Sequence, residues 1–356
     1  MTVFTATRRT RAFFTAAVTG VLVLTGCSTD DAADTAHTDS VLPAAEGVTQ
    51  YPLTLTTPWG DTVLEERPER IAAIAPDGST SELLAVLGVE PVIAPSTTER
   101  ATVWVPDVAP GEPETYELDY DNPYPAEAIA VADPDLIVMV GGWEPEDSYE
   151  RLSAIAPVLA GETEDDFAAG WEDRLRIIAE ALDLSNAAEE FIADQEGFYA
   201  DFREQHPEFA GKTATFALYY YGGGYGLAYS SWAGSDVEQL FLDLGFAANP
   251  IAAEFVEDDA VSNELIGKLD ADVLILVDNS EGHIDEITSQ PLFQNIPAVR
   301  DGRWALVENL SQQRSAYVHD GVEHEGNLPW ALSGSNPLAA RWASEQLVPI
   351  LAATVQ

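Results

Sequence analysis

Apolar and polar stretches follow one another along this chain in the order strand, helix, strand. An apolar segment over 70–75 is followed by a turn, and Ser79 then opens an apolar-rich stretch that ends at Gly88. A second apolar segment occupies 89–94. Short unbroken apolar runs are typical of strands covered on both faces, and a serine before and a glycine after a stretch are helix start and stop signals. This order predicts a mostly parallel sheet with crossover helices.

Two stretches of the chain repeat one pattern, 137 positions apart. One copy, EAIAVADPDLIVMV, runs from Glu127 to Val140, and the other, ELIGKLDADVLILV, runs from Glu264 to Val277. Each copy predicts a short helix, a tight turn and a buried strand. The shared Glu, Ile, two Asp and closing Val favour a duplication. The predicted fold class is therefore α/β, with two Rossmann-like lobes that each contain a mostly parallel sheet.

A single long helix is predicted between the two copies, over 187–207. Its apolar residues keep one helical face, and Pro207 closes it. This helix either joins the lobes, as we expect, or is a surface helix of the first lobe. The predicted order is a signal peptide over 1–26, a lipidated flexible tether over 27–49, an N-terminal α/β lobe over 50–186, the linking helix, and a C-terminal α/β lobe over 208–356.

Further elements follow from the same patterns. The region over 95–125 is rich in Pro, Asp, Glu and Tyr and predicts a long loop. Predicted for the second lobe are strands over 213–219, 271–277 and 304–307, a helix over 236–244, and a closing helix over 337–353 that is interrupted at Pro349.

The first 27 residues have the features of a bacterial export signal. Arg8, Arg9 and Arg11 precede an apolar run over 12–24, which is too short to span a bilayer. Leu-Thr-Gly-Cys27 resembles the lipoprotein box, which implies cleavage before Cys27 and its acylation. Cys27 is the only cysteine, so no disulfide within the chain is possible. We expect a lipid anchor at the outer face of the cytoplasmic membrane, with a twin-arginine export route left open.

Negative charge dominates the composition. The chain has 61 acidic and 16 basic residues, a formal net charge of −45, which becomes −48 when the three signal-peptide arginines leave. A nucleic-acid-binding protein needs a basic surface, so that class is excluded. We interpret the charge as a solvated coat that keeps an extracellular protein dispersed.

Catalytic motifs are absent from the sequence. It contains no nucleophile elbow, zinc-protease motif, phosphate-binding loop or catalytic cysteine. The glycine-rich segment over 222–226 predicts a flexible loop or hairpin turn. His319 and His324, among acidic residues, are a weak candidate for a metal site and more typical of a solvated loop. We therefore expect no enzymatic activity, no metal and no cofactor.

Aromatic and arginine residues in loops after strands indicate a ligand cleft. Ligands of parallel sheets bind beyond the carboxyl ends of the strands, and aromatic residues that only fill a core belong inside strands. Each aromatic residue could instead pack on its own lobe, and each arginine could form an ion pair with one of the many carboxylates. The expected ligand contacts are Arg100, Trp143, Tyr219, Tyr220, Tyr221, Tyr225, Trp232, Arg314 and Tyr317.

Six segments together resemble the substrate-binding proteins of iron-siderophore ABC importers. In chain order they are RPERI (67–71), ELLAVLGVEPV (82–92), PDLI (134–137), DVLI (272–275), DNS (278–280) and PLFQNIPAVRDGR (291–303). The resemblance covers residues 50–355 and implies a ligand cleft between two lobes, little hinge motion, and a monomer. The implied partners are a ferric siderophore, which brings its own iron, and the permease of an ABC importer.

The resemblance also implies roles for the two glutamates that open the repeat. In the family, one glutamate on each lobe docks into an arginine pocket of the permease, and the matching positions are Glu127 and Glu264. A favourable charge at a helix N-terminus is the alternative explanation for either residue.

The ligand class is predicted from charge. Ferric catecholates are strongly anionic, whereas ferric hydroxamates are near neutral or cationic, so a chain at −48 favours hydroxamates. Cobalamin or haem binding is the alternative within binding proteins. A secreted metal-dependent hydrolase is a remote alternative from another class.

Overall fold

The computed structural model describes residues 40–75, 78–96, 103–105, 113–117, 119, 124–140, 146–160, 170–222, 226–310, 315–333 and 336–354. The signal peptide, Cys27 and the predicted tether up to residue 39 lie outside them. Among the described helices, none combines the length and apolar character needed to cross a membrane.

The N-terminal lobe contains a parallel sheet of five strands. Its elements are β1 (Leu53–Thr57), β2 (Gly60–Leu64), β3 (Ile71–Ala73), α1 (Ser79–Val86), β4 (Ile93–Pro95), β5 (Glu114–Tyr116), α2 (Ala126–Val131), β6 (Leu136–Met139), α3 (Glu146–Ser153), β7 (Val158–Ala160) and α4 (Trp171–Ala181). The sheet order is β5-β4-β3-β6-β7, and β1 and β2 form a separate antiparallel hairpin. Alternate residues of β3 and β6 enter two clusters, one with α1 and α4 and one with α2 and α3. Both faces of the sheet are therefore covered, as the unbroken apolar runs predict.

The C-terminal lobe contains a mixed sheet of six strands. Its elements follow α5 (Ser185–Gln205) and are β8 (Ala214–Tyr220), β9 (Leu227–Tyr229), α6 (Asp236–Asp243), β10 (Val273–Asn279), α7 (Asp285–Thr288), α8 (Pro291–Gln294), α9 (Pro297–Arg300), β11 (Trp304–Asn309), β12 (Ala316–His319), β13 (Val322–Glu325), α10 (Leu328–Ser333) and α11 (Pro337–Thr354), with 3-10 helices at Pro207–Phe209, Pro250–Phe255 and Ile266–Leu269. The order is β13-β12-β11-β10-β8-β9. The neighbours β8, β10 and β11 run parallel, and the outer strands are antiparallel. The α/β fold class with two sheet-bearing lobes is confirmed.

Helix α5 contributes to the cores of both lobes. Ala188 and Ile192 pack in the N-terminal core, whereas Phe202, three turns further on, packs in the C-terminal core. The long helix expected over 187–207 thus has side chains on both lobes. The boundaries given for the two lobes stay predictions.

Some predicted elements differ in the structure. Helix α11 continues through Pro349, where the sequence predicts an interruption, and its buried face packs on the C-terminal core on both sides of that residue. Strand β5 lies inside the region predicted as a long loop over 95–125. The hairpins β1–β2 and β12–β13 are not predicted by the sequence analysis.

The repeated segments adopt equivalent structures. Helix α2 leads through a turn to β6, and the 3-10 helix Ile266–Leu269 leads to β10. The second aspartate of each copy holds the neighbouring strand. Asp135 accepts two backbone N–H groups just before β3, both at 2.8 Å, and Asp272 accepts the N–H of Thr213 just before β8 at 2.9 Å. The predicted order of helix, turn and strand is confirmed, with a 3-10 helix in the second copy.

Residues 40–49 form a strap on the N-terminal lobe, which corrects the prediction of a flexible tether for this part of the chain. The buried carboxylate of Asp183 accepts the successive N–H groups of 47–49 at 2.7, 2.8 and 2.8 Å. Glu46 accepts two N–H groups at the start of α5, at 2.7 and 2.9 Å. The strap follows a stretch of small, polar and acidic residues whose composition favours disorder. Charge-assisted hydrogen bonds fix the strap instead.

Replacing Asp183 with alanine is expected to release the strap and to lower the free energy of unfolding by about 2 kcal/mol, because three backbone donors lose a buried charged acceptor. These donors, with Thr49 the largest cause, lower the pKa of Asp183 below its ordinary value. A carboxyl with a lowered folded-state pKa stabilises the protein above its unfolded pKa of about 3.9 and loses that effect as the pH falls through the folded value. The wild-type strap should therefore detach in acid, below about pH 4.

Amide hydrogen exchange over 47–49 measures this release. Asp201→Ala, which removes an exposed carboxylate of α5, is the matched control and should leave the exchange unchanged. Equal protection of the strap in wild-type protein and the Asp183 variant would contradict the assignment.

Candidate functional site

The carboxyl ends of three parallel strands lie side by side in the C-terminal lobe. Tyr220 ends β8 opposite Asn279, the last residue of β10. Asn309, which ends β11, donates from Nδ2 to Oδ1 of Asn279 at 2.6 Å. These three residues are partly exposed. This row, called the carboxyl edge below, presents phenol and amide groups where parallel sheets bind ligands.

Tyr221 and His283 extend the carboxyl edge with two stacked rings. Their centroids are 3.6 Å apart, and their planes differ by 5°. Tyr221 is 51% exposed. His283 Nδ1 lies 3.3 Å from Oε1 of Glu286. The pair therefore combines a flat, accessible aromatic face with a polar rim, as is typical of sites for ligands that have both apolar and polar surface.

Buried residues fix the loop that carries His283. Asp278 Oδ1 accepts the N–H of Ser280 at 2.8 Å, and the Ser280 hydroxyl accepts the N–H of His283 at 3.0 Å. Asp278 and Ser280 are 4% and 2% exposed. Glu281 has a φ of 52°, a left-handed conformation that is strained for a residue with a Cβ. Hydrogen bonds to the buried residues Asp278 and Ser280 thus hold the strained turn. The turn reverses the chain so that His283 stacks on Tyr221.

Tyr219 is buried beside the same residues. Burial is the largest cause that raises the pKa of Tyr219, and the nearby carboxylates of Glu286 and Asp278 raise it further. The phenol of Tyr219 therefore stays protonated at neutral pH.

Two of the sequence-predicted ligand residues, Tyr220 and Tyr221, lie at the carboxyl edge. Tyr219 and Tyr317 are 9% and 2% exposed and belong to the cores of the C-terminal lobe. Because alternate side chains of a strand point to opposite faces, these two rings pack inward and present little surface to a ligand. Outside the described residues lie Arg100, Trp143, Tyr225 and Arg314.

Trp232 lies away from the carboxyl edge, which corrects its expected grouping with Tyr221. Strand β9 runs antiparallel to β8, and the N–H groups of Ser230 and Ser231 return to the carbonyl of Phe216. Phe216 and Tyr221 are about 16 Å apart along an extended strand. The sequence analysis places the loop after β9 at the carboxyl ends, but the hairpin reverses the chain.

Strands β8 and β9, which flank the glycine-rich segment after Tyr221, pair antiparallel. The N–H of Tyr220 donates to the carbonyl of Gly226 at 2.8 Å, which confirms the predicted hairpin turn. His319 and His324 lie on the β12–β13 hairpin, where His324 stacks on Tyr317 with a centroid distance of 4.9 Å. Within the described part of the chain, no three His, Cys, Asp or Glu side chains are grouped so as to hold a metal ion.

Asn279, Asn309 and His283 lie at the carboxyl edge, and the sequence analysis does not name them as candidate ligand contacts. Asn279 ends β10 and Asn309 ends β11. The composition of these strands predicts where they start and where their apolar residues lie, but not where they end. The contact between the two asparagines depends on the strand register, which sequence spacing does not give. His283 follows a strand by four residues, and its link to Tyr221 is a contact between distant segments.

Glu127 and Glu264 are both exposed at equivalent points of the repeat. Glu127 lies in the first turn of α2, and Glu264 lies in the turn just before the 3-10 helix Ile266–Leu269. Within the described part of the chain, neither carboxylate has a hydrogen-bond or ion-pair partner. Their role in docking stays a prediction.

A buried carboxylate joins the two lobes. Glu82 of α1 is 3% exposed and accepts the N–H groups of Leu338 and Ala339, at 2.8 and 3.1 Å, at the start of α11. It also accepts the indole N–H of Trp104 at 3.1 Å. Trp104 in turn packs on Trp342 of α11, with a centroid distance of 5.1 Å. These contacts fix the orientation of α1 against α11 and so position one lobe relative to the other.

A cavity of about 380 Å³ lies between the lobes beside α5. Trp171 at the start of α4 lines it on the N-terminal side, Gln195 and Tyr199 line it along α5, and Asn336 lines it on the C-terminal side. The lobes therefore enclose open space on this side of the molecule.

Known proteins resemble this chain in sequence and in fold. The probable siderophore-binding lipoprotein YfiY of Bacillus subtilis (strain 168) is 26% identical over 257 residues, which cover 68% of this chain and 76% of the relative. The structure of Streptococcus pneumoniae PiaA in complex with ferrichrome aligns with a TM-score of 0.63 and 23% identity, over 85% of this chain and 98% of that one. Staphylococcus aureus SirA complexed with staphyloferrin B aligns with a TM-score of 0.62 and 19% identity, over 84% and 98%.

The family profile of the periplasmic binding proteins matches residues 69–308, about two thirds of the chain. The matched region runs from just before β3 to the end of β11 and includes both copies of the repeat. This chain therefore belongs to the periplasmic binding protein family, a family of solute-binding proteins and not of enzymes.

Proposed function

We propose that this protein captures a ferric siderophore outside the cell and delivers it to the permease of an ABC importer. The observation that carries the proposal is the carboxyl edge, an accessible row of phenol, amide and stacked aromatic groups in a protein of a solute-binding family. The relative named as a siderophore-binding lipoprotein supports the ligand class.

Within siderophores, we favour a ferric trihydroxamate. A net charge of −48 on the processed chain disfavours strongly anionic complexes at long range, although salt shortens this effect to about 8 Å. PiaA, which binds ferrichrome, supports a hydroxamate, whereas SirA binds staphyloferrin B on the same fold. The negative charge of the chain is the feature that favours a hydroxamate over a ligand of the staphyloferrin B type.

In the proposed complex, Tyr221 and His283 contact the organic shell of the siderophore. Asn279 and Asn309 offer hydrogen bonds to its polar groups. The sequence-predicted arginines Arg100 and Arg314 would add charge-assisted hydrogen bonds to the iron-bound oxygens.

The proposed location is the outer face of the cytoplasmic membrane, through a lipid on Cys27. The lipoprotein box of the sequence and the description of the relative as a lipoprotein support this placement. Glu127 and Glu264 would then face the permease.

Tryptophan fluorescence tests the ligand class, because all eight tryptophans lie after Cys27. We expect ferric trihydroxamates to quench the fluorescence at lower concentrations than ferric triscatecholates, haem or cobalamin. Tight triscatecholate binding without trihydroxamate binding would reject the hydroxamate preference. A response to cobalamin or haem alone would reject the siderophore proposal.

Calorimetry with variants tests the site. Tyr221→Ala is expected to weaken trihydroxamate binding about tenfold, because it removes an accessible aromatic contact. Trp232→Phe is the matched control, since Trp232 lies toward the other end of β8, and it should leave the affinity unchanged. Equal loss in both variants would place the ligand elsewhere.

A further inference from the structure

We infer that His283 makes binding of anionic ferric complexes at the carboxyl edge depend on pH, with tighter binding in acid. This inference rests on the proposed function, because it takes the carboxyl edge as the ligand site. It concerns how that site responds to the charge of its ligand.

The imidazole of His283 is held in place, and one of its two ring nitrogens already has a partner. Its ring lies flat on Tyr221, its backbone N–H is held by Ser280, and Nδ1 faces Glu286 at 3.3 Å. The side chain is 44% exposed. Among the described residues, Nε2 has no partner, so it is the ring nitrogen that remains for a ligand.

The described titratable residues around His283 are acidic and phenolic. The titratable residues at the ends of β8 and β10, in the following loop and in α7 are Tyr219, Tyr220, Tyr221, Asp278, Glu281, Asp285 and Glu286, of which Tyr221 and Glu286 contact the ring directly. None of the described residues of these elements is a lysine or arginine. Among the described residues of these elements, His283 is thus the one that can add positive charge as the pH falls, whereas the charge of Arg100 and Arg314, proposed above for the same ligand, does not change with pH.

The change in charge alters what the edge can bind. Histidine is the side chain that ordinarily gains its charge between about pH 8 and 5. Neutral imidazole offers an acceptor at Nε2 when Nδ1–H faces Glu286, whereas imidazolium offers an N–H donor and a positive charge. Iron-bound oxygens of hydroxycarboxylate or catecholate complexes carry negative charge, so these complexes bind imidazolium more strongly than neutral imidazole. A net-neutral trihydroxamate gains far less.

Calorimetric titrations at pH 5.5 and 8 test the inference, with an anionic ferric hydroxycarboxylate and a net-neutral ferric trihydroxamate as probes. Wild-type protein, His283→Gln and His206→Gln are compared. His206 is the matched control, because its Nδ1 lies 3.1 Å from Glu208 Oε1 at the end of α5, a similar histidine–carboxylate pair away from the edge. Changes in the ligand itself with pH cancel, since all three proteins receive the same complex. Melting temperatures verify that each variant is folded.

We expect the hydroxycarboxylate to bind wild-type protein and His206→Gln about fivefold more tightly at pH 5.5 than at pH 8, the upper end for an ion pair at a half-exposed site. His283→Gln should lose this difference, and trihydroxamate binding should vary equally little in all three proteins.

An unchanged pH dependence in His283→Gln would overturn the inference. Binding of the trihydroxamate without any binding of the anionic complex at pH 5.5 would also overturn it, and both results would leave the proposed function standing. Failure of wild-type protein to bind any iron complex would instead reject the proposed function, and this inference with it.

Discussion

Replacing Glu82 with alanine is expected to lower the free energy of unfolding by about 3 kcal/mol. The carboxylate is buried between the lobes and accepts two N–H groups at the start of α11 and one from Trp104. Its removal leaves three buried donors without their acceptor and takes a negative charge from the N-terminus of an 18-residue helix. The shift of the urea unfolding midpoint measures the loss.

Two further variants separate the causes of that loss. Glu82→Gln keeps an oxygen acceptor but removes the charge, so it should cost about 1–2 kcal/mol. Glu345→Ala removes an exposed carboxylate from α11 itself and should change stability by less than about 0.5 kcal/mol. If Glu82→Ala were as stable as Glu345→Ala, the contact between α1 and α11 would not hold the lobes.

The sequence predicts the fold well where local signals and burial agree. The two copies of the repeat place Asp135 and Asp272 at the same point of each lobe, and each holds the strand beside it. Unbroken apolar runs identify β6 and β10 because both faces of these strands are covered. Helix α5 is predictable because its apolar face extends over about four turns.

Contacts between distant segments explain what the sequence does not predict. The polar and acidic residues before position 40 favour a tether that the sequence analysis extends to residue 49, yet Asp183, more than 130 positions away, accepts the N–H groups of 47–49. The reversal of the chain at β9 moves Trp232 away from Tyr221. The pairing of Asn279 with Asn309 depends on strand register, which is a property of the assembled sheet.

Reversing the charge of both Glu127 and Glu264 to lysine is expected to reduce siderophore uptake by about tenfold or more and to leave ligand affinity unchanged. Both side chains are exposed, and neither has a hydrogen-bond or ion-pair partner among the described residues. A glutamate that meets an arginine in a permease pocket becomes a repelled lysine, and losing one side of such a pair costs several kcal/mol. Each single reversal should give an intermediate loss. Cellular uptake of radiolabelled ferric trihydroxamate and calorimetric affinity of the purified variants measure the two quantities.

The matched control reverses Glu190 and Glu196, two exposed residues of α5, and so changes the net charge by the same amount. Because neither residue belongs to the repeat, this control should support normal uptake. A similar loss in both double variants would attribute the effect to net charge, and lost affinity in the Glu127 and Glu264 variant would place these residues at the ligand instead of the permease. Retained uptake would leave only the alternative already implied by the sequence, a favourable charge beside a helix N-terminus, worth about 0.3–1 kcal/mol. Docking therefore makes the larger and more specific prediction: uptake is lost while stability and ligand binding remain.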